Sequence, residues 1–133
     1  MIMDKGFAEI LDRLQNWSSE SCLIELAFEG CRKSMIVCAK EDEALGLKPL
    51  HGWDMESIQL HFDKQSLVFN HGILSYPHLD TQIGLYVENP FYHKDLKPIG
   101  HYRLITTLDG KIDDDYFVLE EGNEDSSSQR DSL

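Results

Sequence analysis

Positive charge is scarce in this chain of 133 residues: twelve lysines and arginines face 24 aspartates and glutamates, for a net charge of −12. Such a chain repels the phosphate backbone that supplies most non-specific nucleic-acid affinity, so direct binding to DNA or RNA is not expected. Long apolar runs are missing as well. None approaches the roughly 18 residues that cross a bilayer. The stretch from Met1 to Phe7 carries Asp4 and Lys5 and lacks the apolar centre of a secretory signal. Membrane association is therefore not expected, and a cytoplasmic address is.

Cysteine is sparse and badly spaced for cross-linking. Cys22, Cys31 and Cys38 cannot all pair within one chain, and their separations lack the close Cys-x2-Cys pairs of structural zinc sites. They read as reduced thiols. Cys22 and Cys38 lie in apolar stretches and read as small buried side chains. Cys31 falls in an apparent turn beside Arg32 and Lys33, which could lower its pKa, although charges in a turn usually point into water.

Signature motifs of catalysis are missing too. There is no Gly-x-Ser-x-Gly elbow, no phosphate-cradling glycine loop and no Gly-x-Gly-x-x-Gly, which leans the reading away from an enzyme. The run Asp113-Asp114-Asp115 with Asp109 invites a Ca²⁺ reading, but Gly110 follows the first aspartate directly, unlike an EF-hand loop. None of the six histidines shows a His-x3-His or His-Glu-x-x-His spacing. No metal and no cofactor is expected.

What is present begins with a helix. Phe7, Ile10, Leu11, Leu14 and Trp17 recur on one helical face, with Asp4 as N-cap and Asn16–Ser21 as the stop. From Cys22 the apolar residues Ile24, Leu26 and Phe28 alternate, which predicts a strand, a turn at Gly30 and a second strand over Met35–Ala39. Residues 40–56 read as a loop with one helical turn over Glu41–Leu47. Further strands are expected around Ile58–Phe62, Leu67–Phe69, Ile83–Val87, Ile99–Thr107 and Asp115–Glu120. Asn70-His71-Gly72 reads as a turn, and Ile73–Pro77 as a short, poorly defined segment. Asp109-Gly110 reads as a type I′ hairpin turn, with a bulge or wider loop required before Tyr116. Beyond 121 almost every apolar residue gives way to Asn, Asp, Ser, Gln and Arg, so 122–133 reads as an acidic, polar, disordered tail.

The expected architecture is a single α+β domain over residues 1–121, its N-terminal helix packed on a mainly antiparallel sheet of six or seven short strands. The most informative segment for function is the loop Pro90–Lys97. Phe91 and Tyr92 stand there outside any alternating pattern, and aromatics of that kind dominate protein interfaces. Trp53 is a second such residue, and the acidic run Asp113, Asp114 and Asp115 completes a proposed partner-binding surface.

The leading expectation is a non-catalytic macromolecule-binding protein whose partner is another protein with a basic surface. Size, acidity and class over the whole chain are in the general style of toxin-neutralising immunity proteins, although no diagnostic motif carries that likeness. It implies that the acidic groups would occupy the basic channel of a nuclease-like toxin. The alternative is a small-ligand-binding or enzymatic domain, with a pocket between helix and sheet built from His61, His101, Tyr102 and Arg103.

Overall fold

The structure is a computed structural model that describes residues 5–69, 72 and 76–122. Two helices precede an antiparallel meander: α1 (Lys5–Glu20), α2 (Leu23–Ala44), β1 (Gln59–Val68), β2 (His78–Glu88), β3 (Leu96–Thr107) and β4 (Ile112–Leu119), paired in the order β1-β2-β3-β4. The α+β class is as expected. The strand number is not, since the sheet has four strands rather than six or seven.

The difference arises at residues 23–44, where the expected hairpin is one long helix. Its buried residues Leu23, Ala27, Cys31 and Met35 recur every fourth position, a helical stripe that the alternation of Ile24, Leu26 and Phe28 obscures. Glu29 and Lys33 pair across one turn at 3.3 Å. Gly30 marks no turn here. A Cβ at this position would lie 2.7 Å from the Tyr102 ring, so the glycine serves close helix–sheet approach. Two more expected pieces merge in β1, which runs unbroken through the expected turn at Asp63–Ser66, with a bulge at Asp63 as the only irregularity.

The break between the helices falls at Cys22, which has a left-handed backbone (φ 54°) and is exposed rather than buried. The expected helix cap Asp4, the turn residues Asn70 and His71, residues 73–75 and the tail from 123 onward lie outside the described residues. Gly122 is described, and it is buried.

One face of the sheet receives α2. Ile83, Leu85, Val87, Ile99, Tyr102, Leu104 and Leu119 pack there with Ala27, Cys31 and Met35, closed at one end by Leu50 and Trp53. The C-terminal end of α1 reaches the same side, where Ser18 and Gln65 exchange hydrogen bonds and Gln65 donates to Thr81 at 3.1 Å. Of the expected apolar stripe of α1, Phe7 and Ile10 are exposed and Leu11, Leu14 and Trp17 are half-buried.

In the β3–β4 hairpin Thr107 N–H donates to Lys111 O at 2.9 Å, which leaves residues 108–110 as the loop. Gly110 N–H donates to Thr107 O, and only Gly110 takes positive φ, so the expected type I′ turn is replaced by a turn closed with a glycine bulge. The expected irregularity before Tyr116 is present, with Asp113 as the extra residue between the Ile105↔Asp114 and Thr106↔Ile112 pairs. No helix among the described residues is long and apolar enough to cross a membrane.

Candidate functional site

The β2–β3 connection is a loop closed on itself. Asn89 N–H donates to Asp95 O at 2.8 Å, Tyr92 N–H to Asn89 O at 3.1 Å, Asp95 N–H to Tyr92 O at 2.9 Å, and Phe91 N–H to the Asn89 side chain at 3.0 Å. This holds Phe91 in water with 94% of its surface exposed. Tyr92 is partly exposed and faces the Lys97 ammonium at 6.0 Å, with the Trp53 ring on that same cation at 5.7 Å. Trp53 itself is only 8% exposed, and its indole N–H donates to Glu120 O at 3.0 Å. Tyr92 and Trp53 thus share Lys97 at one end of the sheet, with Trp53 as the buried footing and Phe91, next to Tyr92 in the loop, as the exposed tip.

The acidic run does not join them. Asp113–Asp115 lie near the start of β4, beside Leu104 and Ile105 of β3 and eight or nine residues along that strand from Leu96, which at ~3.3 Å per residue puts them roughly 26–30 Å from the Phe91 loop. Nor do the three carboxylates form one patch, because Asp114 and Asp115, as successive strand residues, point to opposite faces. Asp115 accepts the Tyr102 hydroxyl at 2.9 Å beside α2, whereas Asp113 raises the pKa of the Tyr76 phenol and Asp114 that of Tyr116.

The residues expected to line an alternative pocket are divided between the two faces. His61 and His101 flank Gly84 on neighbouring strands, and Arg103 shares their face. Arg103 donates twice to Asp80, at 2.9 and 2.7 Å, and lies 5.4 Å over the Tyr116 ring. That ion pair and the hydrogen bond from Tyr86 to Asp63 (2.6 Å) tie the face into a polar network. Tyr102 points the other way and is fully buried, with its pKa raised by burial and by the bond to Asp115.

A cleft of about 550 Å³ does open between helix and sheet, but different residues line it. Gly30, Ser34 and Cys38 of α2 form one wall, Asp115, Phe117 and Leu119 of β4 the other, and His51 the end. At that end Cys38 Sγ lies 3.7 Å from His51 Nε2 and 3.9 Å from Asp42 Oδ2. His51 is held on three sides: its N–H donates to Asp42 at 2.9 Å, its carbonyl accepts from Gly122, and its Nδ1 meets Leu119 O at 3.0 Å. A carbonyl only accepts, so Nδ1 carries a hydrogen, and in that neutral tautomer the Nε2 lone pair faces the thiol. Leu50, His51 and Gly52 all take positive φ to make this return from α2.

No family model matches the chain, and neither curated proteins nor solved structures give a match. The chemistry of the cleft rests on its own residues. Burial and the charges of Asp42 and Glu41 push the Cys38 thiol up, which disfavours the thiolate a nucleophile needs. Cys31 is no better suited, being fully buried within α2 rather than in a turn, with its pKa pushed up to about 12 mainly by burial. What Cys38, Asp42 and His51 do offer is a sulfur, an oxygen and a nitrogen donor within 4.8 Å of one another. The spacing Cys38-x3-Asp42 is one helical turn, a signal visible only once this segment is read as a helix.

Proposed function

We propose that the chain is a non-catalytic protein-binding domain whose anchor is Phe91. The observation that carries this reading is the conjunction of full exposure with a loop fixed by four hydrogen bonds. An aromatic ring held in water contributes nothing to folding, yet it is pre-organised for a partner, and pre-organisation lowers the entropic cost of association. The chain-wide charge of −12 selects a basic partner and speeds the encounter. A toxin with a basic substrate channel is a partner of this chemistry.

The test compares wild type with Phe91→Ala in pull-downs from native lysate, followed by binding kinetics on any purified basic partner. The expected result is a basic protein retained by wild type and lost by the variant, through faster dissociation, with the melting temperature unchanged. Equal retention by both proteins, or a melting temperature lowered by several degrees, would make the loop a structural plug. The cleft between α2 and β4 supports a second reading as a small-ligand domain, built on Cys38 and His51 rather than on His61, His101, Tyr102 and Arg103.

A further inference from the structure

We infer that Cys38, Asp42 and His51 form a binding site for Zn²⁺, with the fourth coordination position open to the cleft between α2 and β4. The site is independent of the Phe91 surface and uses none of its residues.

Geometry is the first support. A tetrahedral Zn²⁺, with bonds of about 2.0 Å to nitrogen and oxygen and about 2.3 Å to sulfur, holds its ligand atoms roughly 3.3–3.6 Å apart. Here Sγ to Nε2 is 3.7 Å, Sγ to Asp42 Oδ2 is 3.9 Å, and Nε2 to Asp42 Oδ1 is 3.8 Å. The two Asp42 distances involve different carboxylate oxygens, and with one donor atom per residue the three lie within 4.8 Å of one another, so side-chain adjustment of up to about 1 Å brings them to a coordination shell. Cys38 and Asp42 stand one turn apart on α2, and His51 returns to them through the turn at Leu50–Gly52.

The surroundings are those a metal ligand needs. Ligating histidines characteristically donate the second ring N–H to a carbonyl or carboxylate, which fixes the tautomer. His51 Nδ1 does so to Leu119 O, leaving Nε2 as the donor atom. Asp42 is oriented by the His51 N–H at 2.9 Å. The site also lies in the last two turns of α2, where the helix dipole favours positive charge, and Glu41 lines the same cleft. Binding displaces the Cys38 proton to solvent, and the resulting thiolate and the Asp42 carboxylate neutralise the ion.

The donor set selects the metal. One sulfur and one imidazole suit a borderline ion such as Zn²⁺ and not Mg²⁺ or Ca²⁺, which take oxygen shells. Three protein ligands rather than four leave a position for water or for a small anionic or thiol ligand in the cleft, beside Ser34 and Lys33.

The experiment titrates tag-free, full-length protein with Zn²⁺ against a chromophoric chelator, and with Co²⁺ followed by absorption. One ion per chain is expected, with a thiolate-to-cobalt charge-transfer band. Cys38→Ser should abolish that band, and His51→Gln should weaken Zn²⁺ binding at least about tenfold. Cys22→Ser should change neither. Unaltered affinity in Cys38→Ser, or preference for Ca²⁺ or Mg²⁺, would overturn the site. If the variants fail to fold, the wild-type Co²⁺ spectrum decides alone: a stoichiometric complex with a thiolate band supports the site, and its absence sinks it.

Discussion

Gly30 of α2 leaves the space that the Tyr102 ring of β3 occupies, and the hydroxyl of that ring passes on to Asp115 of β4 at 2.9 Å. One missing side chain therefore sets how closely the long helix lies on the sheet. The pairing also makes one wall of the cleft, since Gly30 and Asp115 both line it.

Gly30→Ala should destabilise the domain, although alanine is the better helix former by about 1 kcal/mol. Tyr102 is fully buried and cannot move aside, so overpacking at a cost of roughly 1–3 kcal/mol should prevail. Urea unfolding measures the effect. Adding Tyr102→Phe removes the atom nearest the new methyl, so the double variant should lose less than the two single losses together. Strict additivity would show that the helix shifts as a unit instead.

Trp53 and Phe91 stand at the same end of the sheet and should respond oppositely to truncation. Trp53→Ala removes a buried ring and its hydrogen bond to Glu120 O, at an expected cost of about 3–5 kcal/mol. Phe91→Ala should stay within about 0.5 kcal/mol of wild type, as exposed substitutions do. Denaturant midpoints for the two variants separate the footing from the tip.

Alkaline pH should unfold the domain earlier than its charge alone suggests. Cys31 is raised from 9.0 to about 12 by burial, and Tyr86 from 10.0 to about 12 by its bond to Asp63. Between these values the unfolded chain has released protons that the folded chain retains, so stability falls as pH rises. Their contribution is complete below about pH 9 and disappears toward pH 12. Urea midpoints from pH 8 to 11 should decline, and Tyr86→Phe should flatten the slope above pH 10. An identical slope in that variant would remove Tyr86 from the account.

The sequence reads α1 through its apolar stripe, and β2, β3 and β4 through alternation and turn residues, down to the irregularity that falls at Asp113. It misreads α2 because Ile24, Leu26 and Phe28 alternate while the deciding positions, Ala27 and Cys31, are small and carry little hydrophobic signal. Reading Gly30 as a turn compounds this, since a glycine needed for close approach looks the same as one needed for φ. The error then hides the cleft. Cys38 and Asp42 face one another only on a helix, and His51 reaches them only through a left-handed turn that nothing in its residues announces. Phe91 was legible because an isolated aromatic beside proline fits neither strand nor helix period.

Asp113, Asp114 and Asp115 look equivalent in sequence, and their environments predict that they are not. Asp115 accepts from the buried Tyr102, so Asp115→Ala removes the carboxylate partner of that hydroxyl. Such a loss costs about 1–3 kcal/mol. Asp113 is an exposed bulge residue whose partner Tyr76 is also near the surface, so Asp113→Ala should cost no more than about 0.5 kcal/mol. Tyr102→Phe should make Asp115→Ala nearly neutral, because the hydroxyl that lost its partner is then gone. Thermal or urea unfolding of the three variants measures this coupling directly. If Asp113→Ala and Asp115→Ala cost the same, with no coupling to Tyr102, the run acts as a uniform solvated turn. A large loss confined to Asp115 makes it part of the helix–sheet joint, leaving only Asp113 and Asp114 to meet a basic partner.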